Sequence, residues 1–157
     1  LIISEHRAGH ILANAGIDSS NVGAEGQSES VLLWPEDPDA SARTLSLKLS
    51  AALNRRVPVL INDSLGRPWR MGTVGFAIGT FGFEPVWDQI GEKDLDGRIM
   101  RVTAPAIADA LAAAASLVQG ETNQGRPAVW VEGCDLRHDD QVNTSVLLRP
   151  AEQDLFR

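Results

Sequence analysis

Glycines at positions 72, 75, 79 and 82, interleaved with Val74, Phe76, Ile78 and Phe81, constrain this chain more than any other feature. A glycine in an extended run has no side chain to pack, so it marks a bend or a place where another backbone comes close. Residues 71–82 are therefore predicted as one bent strand, suited to lie beside a ligand. Just upstream, residues 57–61 are short, β-branched and bounded by polar positions, which predicts a central strand.

Between these two runs, residues 62–70 read Asn-Asp-Ser-Leu-Gly-Arg-Pro-Trp-Arg. Asp63 and Ser64 place a carboxylate and a hydroxyl at the end of a buried strand, and Gly66 frees a turn. Arg67 and Arg70 then flank Pro-Trp, a layout for metal and anion chemistry. Either arginine can hold a phosphate or carboxylate through forked hydrogen bonds. A structural salt bridge accounts for them equally well. Trp69, Met71, Phe76 and Phe81 are simpler as core residues.

The remaining chain alternates short elements. Residues 1–4 and 10–13 form a plausible hairpin around Arg7-Ala8-Gly9, leading into a loop with Asp18, Ser20 and Asn21. Residues 23–30 are small and polar, a connector before a strand-like stretch at 31–34. A helix capped by Asp39 or Ser41 follows, with Leu45, Leu47, Leu49, Ala52 and Leu53 as its apolar stripe, ending at residues 54–56. Residues 88–98 read as a loop. Thr103 as N-cap and Pro105 in the first turn predict a second helix through Val118, closed by Gly120. Residues 121–126 are a polar loop, 128–131 a final strand and 146–148 a possible late one.

Composition narrows the function. With 157 residues and 43% hydrophobic content, the chain can bury one core, so residues 1–157 are expected to form one domain. A net charge of -7 argues against a nucleic-acid groove, which needs a concentrated basic face. Small-molecule partners fit better. Cys134 is the only cysteine, ruling out an internal disulfide and a thiolate metal cluster and fitting a reducing, cytoplasmic setting. The longest apolar run, residues 110–118, is far shorter than the roughly 20 residues that span a bilayer, so no membrane is expected. The apolar opening, Leu1-Ile2-Ile3, resembles protein interior more than a leader, and leads us to expect a domain truncated at its N-terminus.

Hard cations such as Mg²⁺ and Mn²⁺ take oxygen ligands, typically one or two carboxylates with phosphate oxygens and water. Asp18, Asp63 with Ser64, and Glu121 each fall in a polar segment near a predicted element end. Taken singly, such acids are more simply caps or turn carboxylates. Asp63 stands apart because an Asp-Ser pair at a buried strand end suits a metal-nucleotide site. His6 and His10 lie in an extended pattern interrupted by a turn, a poor zinc arrangement. His138 reads as a solvated loop residue, and Asp109 as a paired structural acid. No GxxxxGK[ST] loop, GxSxG elbow or GxGxxG fingerprint occurs.

Several motifs together resemble the coenzyme F420-0:L-glutamate ligase (gamma-glutamyl ligase) family. They are Ala-Asn-Ala-Gly-Ile-Asp-Ser-Ser-Asn-Val at 13–22, Asp-Pro-Asp-Ala-Ser-Ala at 37–42, and Asp-Ser-Leu-Gly-Arg-Pro-Trp-Arg at 63–70. Ala-Ile-Gly at 77–79 and Asp-Leu-Phe-Arg at 154–157 complete the set, so the likeness runs over essentially the whole chain. The resemblance implies an α+β protein of mixed α/β architecture and a homodimer.

It also implies a GTP-dependent ligase that adds L-glutamate to coenzyme F420-0 through an acyl phosphate, with Mg²⁺ or Mn²⁺ and a monovalent ion such as K⁺. By the same resemblance the metal ligands fall on Asp18, Asp63, Ser64, where the family commonly has Thr, and Glu121. GTP contacts fall on Asn21 and on the segment with Gln119, Gly120 and Asn123. Arg67 and Arg70 are our own candidates for anionic substrate. The family's N-terminal nucleotide-binding segment has no counterpart here, so this chain alone is expected to bind metal but not necessarily to turn over. The alternatives are a ligase of the same fold acting on another carboxylate, and a non-catalytic metal- or nucleotide-binding module.

Overall fold

The computed structural model describes residues 2–22 and 30–154. The expected connector at 23–30 lies almost wholly outside these residues, as does the end of the closing 154–157 motif. The described chain is an α+β arrangement of two antiparallel hairpins and two helices.

The first hairpin pairs β1 (Ile3–Glu5) with β2 (Ile11–Ala13), as the sequence predicts. Beyond it, Asn14, Ala15 and Gly16 take consecutive left-handed backbone conformations, with φ of 52°, 52° and 71°. This run costs most at Ala15, whose Cβ crowds the following carbonyl. The second hairpin pairs β3 (Val59–Arg67) with β4 (Arg70–Phe81). Here the structure corrects the sequence reading. The 62–70 motif does not follow a strand; most of it is strand, and β3 pairs only with β4 among the described residues, so it is not central. The turn falls on Pro68 and Trp69, with Trp69 at φ 57°, while Gly66 sits in the ladder opposite Thr73. A register shift between Ile61 and Asn62 leaves Ile78 as an extra residue, and this bulge bends β4 as expected.

Two helices lie against β4. α1 (Pro38–Leu53) starts at Asp37, whose carboxylate accepts from the Ala40 amide; neither Asp39 nor Ser41 is the cap. Asn54 closes the helix in a left-handed conformation. Its buried positions are Pro38, Ala42 and Ser46, whereas the expected stripe faces away: Leu45, Leu47, Leu49 and Leu53 are 41–51% exposed. The reason is the close approach foreseen from the glycines. A Cβ on Gly79 would collide with the Pro38 carbonyl, so α1 sits too near the strand for leucines to fit between.

α2 (Ile107–Gln119) repeats the device, burying Ala108, Ala112 and Ala115. A Cβ on Gly75 would stand 2.5 Å from the Ala112 carbonyl oxygen. The expected cap at Thr103 is corrected. Residues 103–106 run extended beside 86–89, with Gln89 N–H donating to the Thr103 carbonyl and Trp87 N–H to that of Pro105, so the helix starts after Ala106. Gly120 ends it as predicted.

Asp39 and Asp109 are spent on structure. Asp109 accepts from the Ala77 amide at 3.0 Å, and Asp39 from the Thr80 amide at 2.7 Å and the Thr144 hydroxyl at 2.8 Å. Both bond strand amides to the helix layer. The opposite face of the hairpin carries Phe76 and Ile78, packed with Leu12, Trp34, Ile61 and Leu65. The predicted strands at 31–34, 128–131 and 146–148 are not formed. The first contributes a single bridge from Leu32 to Asp18, and the last is a 3-10 turn, Thr144–Leu147, set by the Asn143 side chain accepting from the Ser145 amide. No described helix is long and apolar enough to cross a membrane.

Candidate functional site

A cleft of about 1060 Å³ opens where three segments meet. Its floor is β3 from Asn62 to Gly66. One wall is the left-handed loop after β2, through Asn21, and the other is the end of α2 with residues 120–127. Pairing with β4 holds the floor in place, while the walls are loops apart from the last turn of α2.

The walls are tied to the floor and to each other. Asn62 and Gln119 exchange two hydrogen bonds, at 2.8 and 3.3 Å, fastening β3 to the last turn of α2. Asn21, at φ 57°, donates from its side-chain amide to the Thr122 carbonyl at 3.0 Å, joining the two loops across the cleft. Gly120, at φ 74°, leaves room for the Gln124 side chain, which accepts from the Thr122 amide. The loop geometry thus follows from four side-chain amides and one glycine.

Asp18, Asp63, Ser64 and Glu121 all line this cleft, as do Asn21, Gln119, Gly120 and Asn123. Asp63 is half-buried and held at both oxygens, one by the Trp34 indole N–H at 2.6 Å and the other by the Ser64 amide at 2.7 Å. Asp18 is exposed, and the Ser20 amide bonded to its carboxylate at 2.7 Å holds its pKa below the ordinary range. The Ser20 amide thus keeps the Asp18 carboxylate charged at neutral pH. Arg67 and Arg70 do not line the cleft; they pair across the hairpin tip, where Arg67 reaches the Met71 carbonyl.

Two residues escaped the sequence reading. Arg126 is the one cation among the described lining residues, against three carboxylates, and it also donates to the Val118 carbonyl at the end of α2. Its only sequence signal is its position in the polar loop. Trp34 reaches Asp63 from 29 residues away, a contact no local pattern encodes.

The donor set is oxygen throughout: carboxylates, a hydroxyl and side-chain amides, with neither His nor Cys in the lining. That chemistry fits a hard divalent cation. Among the described residues no three His, Cys, Asp or Glu groups gather around one point, so a cation here would complete its shell with substrate oxygens and water. The acidic balance of the lining points the same way. An anionic substrate is repelled by three carboxylates unless a cation accompanies it.

Comparison with known proteins places the sequence in a family. The sequence model described as F420-0:Gamma-glutamyl ligase matches residues 1–133. The chain is 48% identical over 159 residues to the coenzyme F420:L-glutamate ligase of Methanothermobacter thermautotrophicus, covering 99% of this chain and 61% of that protein. The proteins of the same name from Methanocaldococcus jannaschii and Natronomonas pharaonis are 40% and 45% identical, again over 99% of this chain, and are covered to 60% and 57%. The chain thus spans about three-fifths of the length of these relatives. On the family match and these identities, the chain belongs to the F420-0:gamma-glutamyl ligase family.

Proposed function

We propose that the intact protein joins L-glutamate to coenzyme F420-0, using GTP as phosphoryl donor and Mg²⁺ or Mn²⁺ whose protein ligands are drawn from Asp18, Asp63, Ser64 and Glu121, with substrate oxygens and water completing each shell. The observation that carries this reading is the gathering of those four residues on one cleft with Asn21, Gln119, Gly120 and Asn123. The names of the relatives supply the substrates.

Amide formation from a carboxylate needs its oxygen converted to a leaving group. In the proposed route the coenzyme carboxylate attacks the γ-phosphorus of GTP, GDP departs, and the glutamate amine then displaces phosphate from the acyl carbon. A bound divalent cation supplies charge neutralisation at the phosphates. The protein's own part is positioning. Asp63, fixed by Trp34 and Ser64, and Asp18, fixed by Ser20, offer carboxylates that need little reordering. Arg126 and the amides of Asn21 and Asn123 offer donors to the phosphates. At about 1060 Å³ the cleft lies at the top of the roughly 300–1,000 Å³ range of ligand sites, large enough for a nucleotide.

The test is mass spectrometry of the intact protein incubated with GTP, Mn²⁺, L-glutamate and F420-0. The expected product is heavier by one or more glutamates and is lost with Asp63→Asn while folding persists. No mass gain, beside a competent control enzyme, overturns the proposal.

A further inference from the structure

One tripeptide, Leu32-Leu33-Trp34, touches both acids at the heart of the cleft. Leu32 and Asp18 exchange two backbone hydrogen bonds, at 2.7 and 3.1 Å. Two residues on, the Trp34 indole N–H donates to the Asp63 carboxylate at 2.6 Å. Asp18 and Asp63 belong to different elements, 45 positions apart in sequence, yet this segment spans the gap between them.

The indole is itself clamped. Its ring lies 4.6 Å from that of His6, 5.2 Å from His10 and 5.9 Å from Phe76, centroid to centroid. Gly16 also lies against it and leaves no spare room, since a Cβ there would stand 2.7 Å from the indole nitrogen. Four contacts thus fix the N–H that fixes Asp63. A carboxylate presents about four lone-pair sites, and the Trp34 and Ser64 bonds use one on each oxygen, leaving one free on each.

We propose that Trp34 is a positioning residue for a divalent cation, setting Asp63 at a fixed place relative to Asp18 through the 32–34 segment. This rests on the reading that Asp18 and Asp63 hold the cation. Outer partners of ligating groups orient them, and their loss typically costs about 10–100-fold in metal affinity. Trp34→Phe keeps an aromatic ring among the two histidines and Phe76 but is smaller than the indole and lacks its N–H.

The experiment titrates Mn²⁺ alone into the intact protein and reads free Mn²⁺ by electron paramagnetic resonance, for the native sequence, Trp34→Phe and Asp63→Asn. Trp34→Phe is expected to weaken binding by about tenfold in protein that still folds, with a lowered metal-free melting temperature from the smaller ring, and saturating Mn²⁺ is expected to restore kcat. Native affinity in Trp34→Phe, with binding lost in Asp63→Asn, overturns the role of Trp34 and leaves the metal reading standing. Native affinity in Asp63→Asn overturns the metal reading itself. If Trp34→Phe does not fold, the native protein still decides. The Trp34 indole N–H resonance, assigned by its contacts to His6 and His10, shifts on adding Mg²⁺ if the inference holds, and an unmoved signal overturns it.

Discussion

Asn62 and Gln119 meet side chain to side chain, each donating to the other, and so lock the floor of the cleft to the helix that forms its wall. Both are half-buried, so losing either partner leaves an amide without its hydrogen bonds, at a cost of about 1–3 kcal/mol. Gln119→Leu and Asn62→Leu are each expected to destabilise the fold in that range, and the double variant to cost clearly less than their sum. Urea denaturation of the four proteins gives the cycle. Strict additivity would mean that the pair contributes no mutual stability.

The glycine pattern gives a sharper contrast. Gly75 and Gly79 face helix backbone, which cannot yield as a flexible side chain can, whereas a Cβ on Gly66 meets nothing within 4 Å. Gly75→Ala and Gly79→Ala are expected to lower stability by about 2–3 kcal/mol or more, and Gly66→Ala to leave it level or slightly raised. Chemical denaturation decides, and equal effects at all three positions would contradict the close helix-strand approach.

Arg126 lines an otherwise acidic cleft, while Arg70 lies at the far hairpin tip. If the cleft binds a nucleoside triphosphate, Arg126→Gln is expected to raise its KM about tenfold, the loss of one charge-assisted hydrogen bond. Arg70→Gln is expected to change it less than twofold. Steady-state kinetics of the intact protein with varied GTP provides the measurement, and the reverse order would return the phosphate role to the hairpin tip.

Much of this arrangement is legible in the sequence where a residue's own chemistry dictates geometry. Spaced glycines announce a bent strand under close backbone contact, and Gly120 announces the end of α2. Asp18, Asp63, Ser64 and Glu121 line one cleft, a grouping implied by the family resemblance and not predictable from their spacing alone. Other features depend on partners distant in sequence. The leucines of α1 look like a core stripe until Gly79 draws the helix so near that only Pro38, Ala42 and Ser46 fit. Thr103 looks like a cap until its carbonyl is taken by Gln89. Trp34 looks like the end of a strand, since nothing local reveals Asp63 beside it.

His10 makes stability depend on pH. Burial against Trp34 and Phe76, followed by the neighbouring His6, pushes its pKa below the ordinary histidine value of 6.5, while Asp109 and Asp39 pull weakly the other way. The folded state therefore holds His10 neutral where the unfolded chain already binds a proton. Stability rises with pH wherever the unfolded state binds more protons. The contribution is full above 6.5 and is lost as pH falls from there through the lowered folded value. His6 is shifted the same way, chiefly by burial, and adds to the slope. Asp18 acts in the same direction but only in the carboxylate range, below the ordinary aspartate value of 3.8, so the two effects separate along the pH axis. Urea midpoints measured between pH 8 and 5 are expected to decline below about pH 6.5, and His10→Gln is expected to flatten that decline. A slope unchanged in His10→Gln would place its origin elsewhere than in the imidazole packed against Trp34.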